Sequence, residues 1–204
     1  MALPLITMPY YNAHQAAGVL IGVALLGWFA LEIKKFTQGR RWQKGASTPS
    51  QRGWWLAAGV CAIAANTVMR YAPRIAPKAG IHPGAAAFAL GMVVLLSGIG
   101  LRAWSFRTLG QYFTFTVKVS PDQTVVSNGP YRLLRHPSYT GLMLITVGLG
   151  LATANWLALA ITSVMWLAMI LWRIRIEENA LLDTLGDSYR SYAAGHKRLV
   201  PLVW

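Results

Sequence analysis

The sequence predicts an all-α, polytopic membrane helical bundle, and three observations carry that prediction. Of its 204 residues, 55% are hydrophobic and only 12% are charged, whereas soluble domains usually carry about 25% charged residues. Five apolar segments each approach the roughly 20 residues that span a bilayer's hydrocarbon core. The 19 Lys and Arg residues gather between alternate segments instead of scattering along the chain.

The segments run over about 16–33, 54–71, 85–101, 139–154 and 156–172. The last two are separated only by Asn155 and its neighbours, so they form a tight helical hairpin. The N-terminus lacks a basic region, and the first segment reads as a retained span rather than a signal peptide. All of it, 1–204, is expected to form one integral membrane domain.

Orientation follows from the basic residues. The first connection holds Lys34, Lys35, Arg40, Arg41, Lys44 and Arg52. Arg102, Arg107, Lys118, Arg132 and Arg135 follow the third segment, and Arg173, Arg175, Arg190, Lys197 and Arg198 follow the fifth. Those sixteen share one face, and only Arg70, Arg74 and Lys78 lie on the other. This predicts an external N-terminus and a cytoplasmic C-terminus. The basic face suits anionic lipid headgroups; with its charges set between apolar segments, nucleic acid is not an expected partner. The single cysteine, Cys61, excludes an intrachain disulfide and reads as a small core residue. His14, His82 and His196 have no metal-ligand spacing, so no metal is expected.

Small residues recur at four-residue spacing, as Gly18 with Gly22 and Ala87 with Gly91, which predicts close helix approach. Gly148 and Gly150 lack the strand–turn–helix context of a dinucleotide site. Two segments on the basic face differ from the rest. Residues 102–138 form a long connection containing the turn signal Asn128-Gly129-Pro130, and 173–204 form a polar tail with four of the six acidic residues.

Chemistry is expected in both. In Arg135-His136-Pro137-Ser138-Tyr139, Pro137 fits the first turn of the fourth span. The N–H groups of Ser138 and Tyr139 then form a helix N-terminus suited to an anionic group, with Arg135 and His136 beside it. A helix cap with interfacial snorkelling is the plainer account. In Arg173-Ile174-Arg175-Ile176-Glu177-Glu178, Arg173 and Glu177 share one helical face. That spacing fits an ion pair, but ionisable groups at the end of a span are also functional candidates. Leu181, Leu185, Tyr189 and Tyr192 make an apolar stripe read as packing, and Gly186-Asp187 is expected to break the helix.

Taken together, Ser127-Asn128-Gly129-Pro130-Tyr131, Arg135-His136-Pro137-Ser138-Tyr139-Thr140-Gly141 and the tail from Arg173 through Glu177-Glu178-Asn179-Ala180-Leu181 to Leu185-Gly186-Asp187-Ser188-Tyr189-Arg190-Ser191-Tyr192 resemble the isoprenylcysteine carboxyl methyltransferase family over roughly 85–204. The resemblance implies a membrane enzyme that uses S-adenosylmethionine in a cytoplasmic pocket and draws a lipophilic or prenylated acceptor from the bilayer. It implies that Gln123, Thr124, Val125, Val126, Tyr131, Arg135, His136, Pro137, Ser138, Tyr139 and Glu177 hold the cofactor. Arg173 would orient the acceptor's carboxylate and, with Glu177, carry catalysis. Gln123 stands where eukaryotic members have histidine, a departure that bears on the prenylated-protein substrate. A carboxylate acceptor is already ionised at neutral pH, so rate would come from near-attack positioning rather than a base.

Three other readings compete. An amine-directed phospholipid methyltransferase is separated poorly by sequence. An NADPH-dependent sterol-type reductase shares an Arg-His-Pro turn, but its tail signature differs from Glu177-Glu178 and Leu185-Gly186. A non-enzymatic anchor would use only the basic face. The short chain points to a prokaryotic inner membrane.

Overall fold

In a computed structural model describing residues 9–42, 49–113 and 124–201, each of the five apolar segments lies in a helix. A short turn, α1 (Tyr10–Ala13), precedes α2 (Gln15–Trp42) and α3 (Pro49–Ile75). Then come α4 (Gly84–Leu109), α5 (Pro137–Ala152) and α6 (Trp156–Gly195), and no strand occurs among the described residues. The outer surface is apolar: Leu26 and Leu56 are each 72% exposed. In water such faces would drive aggregation; in a bilayer they face acyl chains.

By length and composition three helices can cross a membrane: Gln15–Gln38, Gly84–Tyr112 and Trp156–Gly195. Five long helices carry the five expected segments, and among the described residues three of them meet that standard. α5 has 16 residues and so spans only about 24 Å. α3 is 27 residues long but is broken in apolarity by Asn66, Arg70 and Arg74.

α4 and α5 pack backbone to backbone. A Cβ on Gly91 would lie 2.7 Å from the Gly148 carbonyl oxygen, and one on Gly98 would lie 2.6 Å from that of Gly141. Seven residues separate the glycines in each helix, so two matched pairs bring the axes together. The pair Gly18 and Gly22 behaves otherwise. A Cβ on Gly18 would meet the Tyr11 carbonyl at 3.0 Å, but nothing lies within 4 Å of one on Gly22.

Asn155 builds the α5–α6 hairpin. Its Oδ1 accepts from the N–H groups of Leu157 (3.0 Å) and Ala158 (3.1 Å), and its Nδ2 donates to the Ala76 carbonyl at 3.0 Å. One buried side chain thus caps α6 and ties the hairpin to the end of α3. The tail is no separate segment, since α6 continues unbroken past Trp172. It bends where expected, at Gly186 (φ 52°, ψ −125°), a conformation that a side chain would strain. Likewise the first part of the 102–138 connection is the last two turns of α4.

Candidate functional site

α2 through α6 enclose a cavity of about 600 Å³ at the charged end of the bundle. Large rings line much of it: Trp28, Phe29 and Phe36 from α2, Trp54 and Trp55 from α3, and Trp166 from α6. The polar groups converge from α5, α6 and the stretch before α5. Of the residues implied by the sequence, Thr124, Val125, Val126, Tyr131, Arg135, His136, Ser138, Tyr139, Arg173 and Glu177 all line this one cavity. Pro137 is fully buried at the first position of α5 and is not among the lining residues. Gln123 lies outside the described residues.

Local geometry explains the convergence. The residue before a proline avoids helical backbone, and His136 accordingly sits at φ −126°, ψ 55° as the N-cap of α5. The chain turns there, bringing Arg135 and His136 against α6. Tyr139, one turn into α5, donates from its hydroxyl to Glu177 Oε2 at 2.8 Å. The other Glu177 oxygen makes no hydrogen bond among the described residues. Arg173, four residues earlier on α6, stacks its guanidinium over the Trp54 ring at 4.6 Å.

Adjacent residues on a helix point about 100° apart, so Glu177 and Glu178 do different things. Glu177 faces the cavity. Glu178 accepts from Arg135 Nη1 (2.7 Å) and Arg198 Nη2 (2.9 Å), with His136 Nε2 at 3.2 Å. The Arg135 and His136 side chains, read from sequence as donors to an external anion, therefore surround the protein's own Glu178. The helix N-terminus is also less open than expected. The Tyr139 N–H is engaged, donating to the His136 carbonyl at 3.0 Å.

The end of the chain is stitched onto this corner. The Arg135 N–H donates to the Lys197 carbonyl (2.7 Å) and the His136 N–H to that of Arg198 (3.1 Å). Beyond the Gly186 bend, the Tyr192 hydroxyl donates to the Tyr131 carbonyl at 2.8 Å. Burial, reinforced by the nearby Glu177 charge, pushes the Tyr131 phenol up, so it stays a neutral hydroxyl at physiological pH. Leu181, Leu185, Tyr189 and Tyr192, read from sequence as a packing stripe, form one wall of the cavity. A helical apolar stripe looks the same whether it meets protein or ligand. The Tyr189 hydroxyl is buried and has no partner among the described residues.

Sequence reasoning missed three groups. Glu32 lines the cavity from α2, held by Trp28 Nε1 at 2.7 Å and paired with Arg102. It is the only acidic residue before position 122 and stands in an apolar run, a signal that was available. Arg102 was read only as a topological charge. Trp54 carried no distinguishing signal at all.

Comparison with known proteins adds three findings. Residues 86–188 match the family model described as phospholipid methyltransferase. The chain is 33% identical over 116 residues to protein-S-isoprenylcysteine O-methyltransferase A of Arabidopsis thaliana, covering 55% of this chain and 58% of that protein. It is 32% identical over 117 residues to the Schizosaccharomyces pombe protein-S-isoprenylcysteine O-methyltransferase, covering 56% and 49%. The chain thus spans about half the length of these relatives. Among solved structures, the eukaryotic intramembrane Ras methyltransferase ICMT superposes with a TM-score of 0.61 and 26% identity, over 72% of this chain and 52% of that one.

Proposed function

This chain belongs to the phospholipid methyltransferase family, and from that premise we propose that it is an integral membrane enzyme moving a methyl group from S-adenosylmethionine to the carboxylate of a lipophilic, isoprenylcysteine-like acceptor. The observation that carries the reading is the single cavity in which an oriented carboxylate, Glu177, and a cation, Arg173, meet aromatic walls open to an apolar ligand. Its volume lies in the usual range for small-molecule sites, about 300–1,000 Å³.

The donor set fits the cofactor. Glu177 offers one hydrogen-bonded oxygen and one that makes no hydrogen bond among the described residues, a pattern suited to ribose hydroxyls. The stretch Thr124–Val126 and Tyr131 line the same wall. Glu178 supports this wall from behind by holding Arg135, His136 and Arg198 in place. When bound, S-adenosylmethionine supplies an electrophilic methyl group on a sulfonium.

What remains for the protein is orientation. Arg173, steadied by the Trp54 face, would bind the acceptor carboxylate and aim one oxygen along the transfer line. With cofactor and acceptor seated, the indole and phenyl walls would leave little room for water, so the anion would react with a depleted hydration shell. No proton needs to leave a carboxylate, which removes the need for a general base; an amine acceptor would require one. The names of the matched relatives and the presence of Arg173 both favour the carboxylate. We further propose that the cavity opens toward the cytoplasm, with the N-terminus outside, from the sixteen-to-three asymmetry of basic residues.

Isothermal titration of S-adenosylhomocysteine into the detergent-purified protein tests the cofactor. Micromolar binding is expected in wild type and its loss in Glu177→Ala. Methyl transfer to N-acetyl-S-farnesylcysteine, but not to its amide, tests the acceptor. A folded wild type that binds no S-adenosylhomocysteine would sink the proposal.

A further inference from the structure

We infer that Glu32, acting through Arg102, is a positioning residue for the methyl transfer, setting the distance between the acceptor wall on α2 and the start of α5. The inference rests on the function proposed above. Arg102, on α4, divides its guanidinium between two helices. Nε and Nη2 donate to the Glu32 carboxylate, the latter at 3.0 Å, while Nη1 donates to the Ser138 hydroxyl (2.8 Å) and carbonyl (3.1 Å). Phe106 lies beneath it, 4.8 Å from the ring centroid. Glu32 in turn accepts from Trp28 in the aromatic wall. One continuous chain of charge-assisted bonds thus runs from Trp28 through Glu32 and Arg102 to Ser138. The next residue is Tyr139, whose hydroxyl orients Glu177.

Stability alone is a poor account of this pair. Its side chains are only 7% and 16% exposed, and burying an ion pair generally gains nothing over well-packed apolar residues. Nor is it needed merely to hold α2, because Lys35, one turn on, donates to the Gly110 carbonyl at 2.6 Å. The pair also lines the cavity. What it adds to the apolar packing of Trp28 beside Leu142 and Tyr139 is a directional polar link between α2 and the first turn of α5. If that spacing loosens, acceptor and methyl donor still bind, but out of line, and in-line transfer is steeply sensitive to misplacement.

The test removes both partners at once. Single changes, Glu32→Leu or Arg102→Met, each strand a buried charge and should lower the melting temperature. In the double variant that penalty disappears. The expected result is a melting temperature restored to near wild type and S-adenosylhomocysteine affinity within about threefold, with kcat on N-acetyl-S-farnesylcysteine still down by about tenfold or more and KM little changed. Arg102→Lys keeps a cation beside Glu32 but lacks the planar fork that reaches Ser138; it should reproduce the kcat loss in a stable protein, whatever the double variant's folding. Wild-type kcat in the refolded double variant, or in Arg102→Lys, overturns the positioning role and leaves the pair structural. Failure of wild type itself to bind S-adenosylhomocysteine overturns the methyltransferase reading instead, and the inference with it.

Discussion

The two halves of the bundle are packed on different principles. α4 and α5 meet through glycines whose missing side chains let backbone touch backbone, and with α6 they make up most of the stretch matching the family model, 86–188. α2 and α3 lie outside that match. In the apolar window of α2 only 11% of residues are buried, against 28% in α4 and in α6. Yet α2 and α3 supply five of the seven indole and phenyl rings that line the cavity, while α5, α6 and the stretch before α5 supply most of its polar groups. The division suits the proposed chemistry. A cofactor of fixed shape wants a rigid cradle, and a flexible lipid-like acceptor is served by a wall of large rings on helices with room to adjust.

Breaking the rigid half should have the largest effect. In Gly148→Leu, the Cβ alone would lie 2.5 Å from the Leu95 nitrogen and 2.6 Å from the Gly91 carbonyl. Neither is a side chain that can swing away, so α4 and α5 must separate. Overpacking costs about 1–3 kcal/mol, occasionally more, and backbone on both sides puts this change at the upper end. Little folded protein should be recovered, and what is recovered should show neither binding nor turnover. A thermal melt in detergent checks this; a wild-type melting curve would mean that the helix approach is not required.

Within the rigid half, the cofactor cradle can be loosened by one atom. Tyr139→Phe deletes the hydroxyl that orients Glu177 and leaves the ring in place. A hydrogen bond to a charged group contributes about 1.5–3 kcal/mol, and part of it is recovered when the carboxylate finds a ligand. We expect S-adenosylhomocysteine to bind about tenfold more weakly, with an unchanged melting temperature, by the same titration. Unchanged affinity would remove Tyr139 from the cradle.

The adaptable half should respond differently. Phe29, on α2, lines the cavity but is 53% exposed, so its removal leaves a wider slot rather than a collapsed core. Phe29→Ala should raise KM for a farnesylated acceptor by about fivefold, in line with roughly 1 kcal/mol of lost apolar contact. Cofactor affinity should not move. An equal change in both would mean that the halves are one unit.

How much of this was legible in the sequence follows the same division. Hydrophobic segments placed the five long helices, and the Arg-His-Pro turn and the Arg173–Glu178 run marked the polar corner. What could not be read was phase. Two adjacent glutamates are equivalent in a motif, and only the helix shows that Glu177 faces the cavity while Glu178 is enclosed by Arg135, His136 and Arg198. Nor could the stripe from Leu181 to Tyr192 be assigned, because packing and ligand walls use the same side chains at the same spacing. Glu32 itself stood out in an apolar run, but its pairing with Arg102, 70 positions away, leaves no local trace.

Gly22 gives the smallest expected effect and the sharpest contrast with Gly148. By spacing alone, Gly18 and Gly22 look like a close-packing pair, as good as those that join α4 to α5. In the fold, however, nothing stands within 4 Å of a Cβ added at Gly22. There the glycine confers no packing benefit and carries the ordinary helix penalty, up to about 1 kcal/mol relative to alanine. Gly22→Ala should therefore raise the melting temperature slightly, by no more than a few degrees, with binding and turnover unchanged. The same exchange at Gly148 should do the opposite, since even one methyl group meets backbone. A loss of stability at Gly22 would show that something packs against this face of α2 after all. The contrast would then lie in what each half packs against, rather than in how tightly it packs.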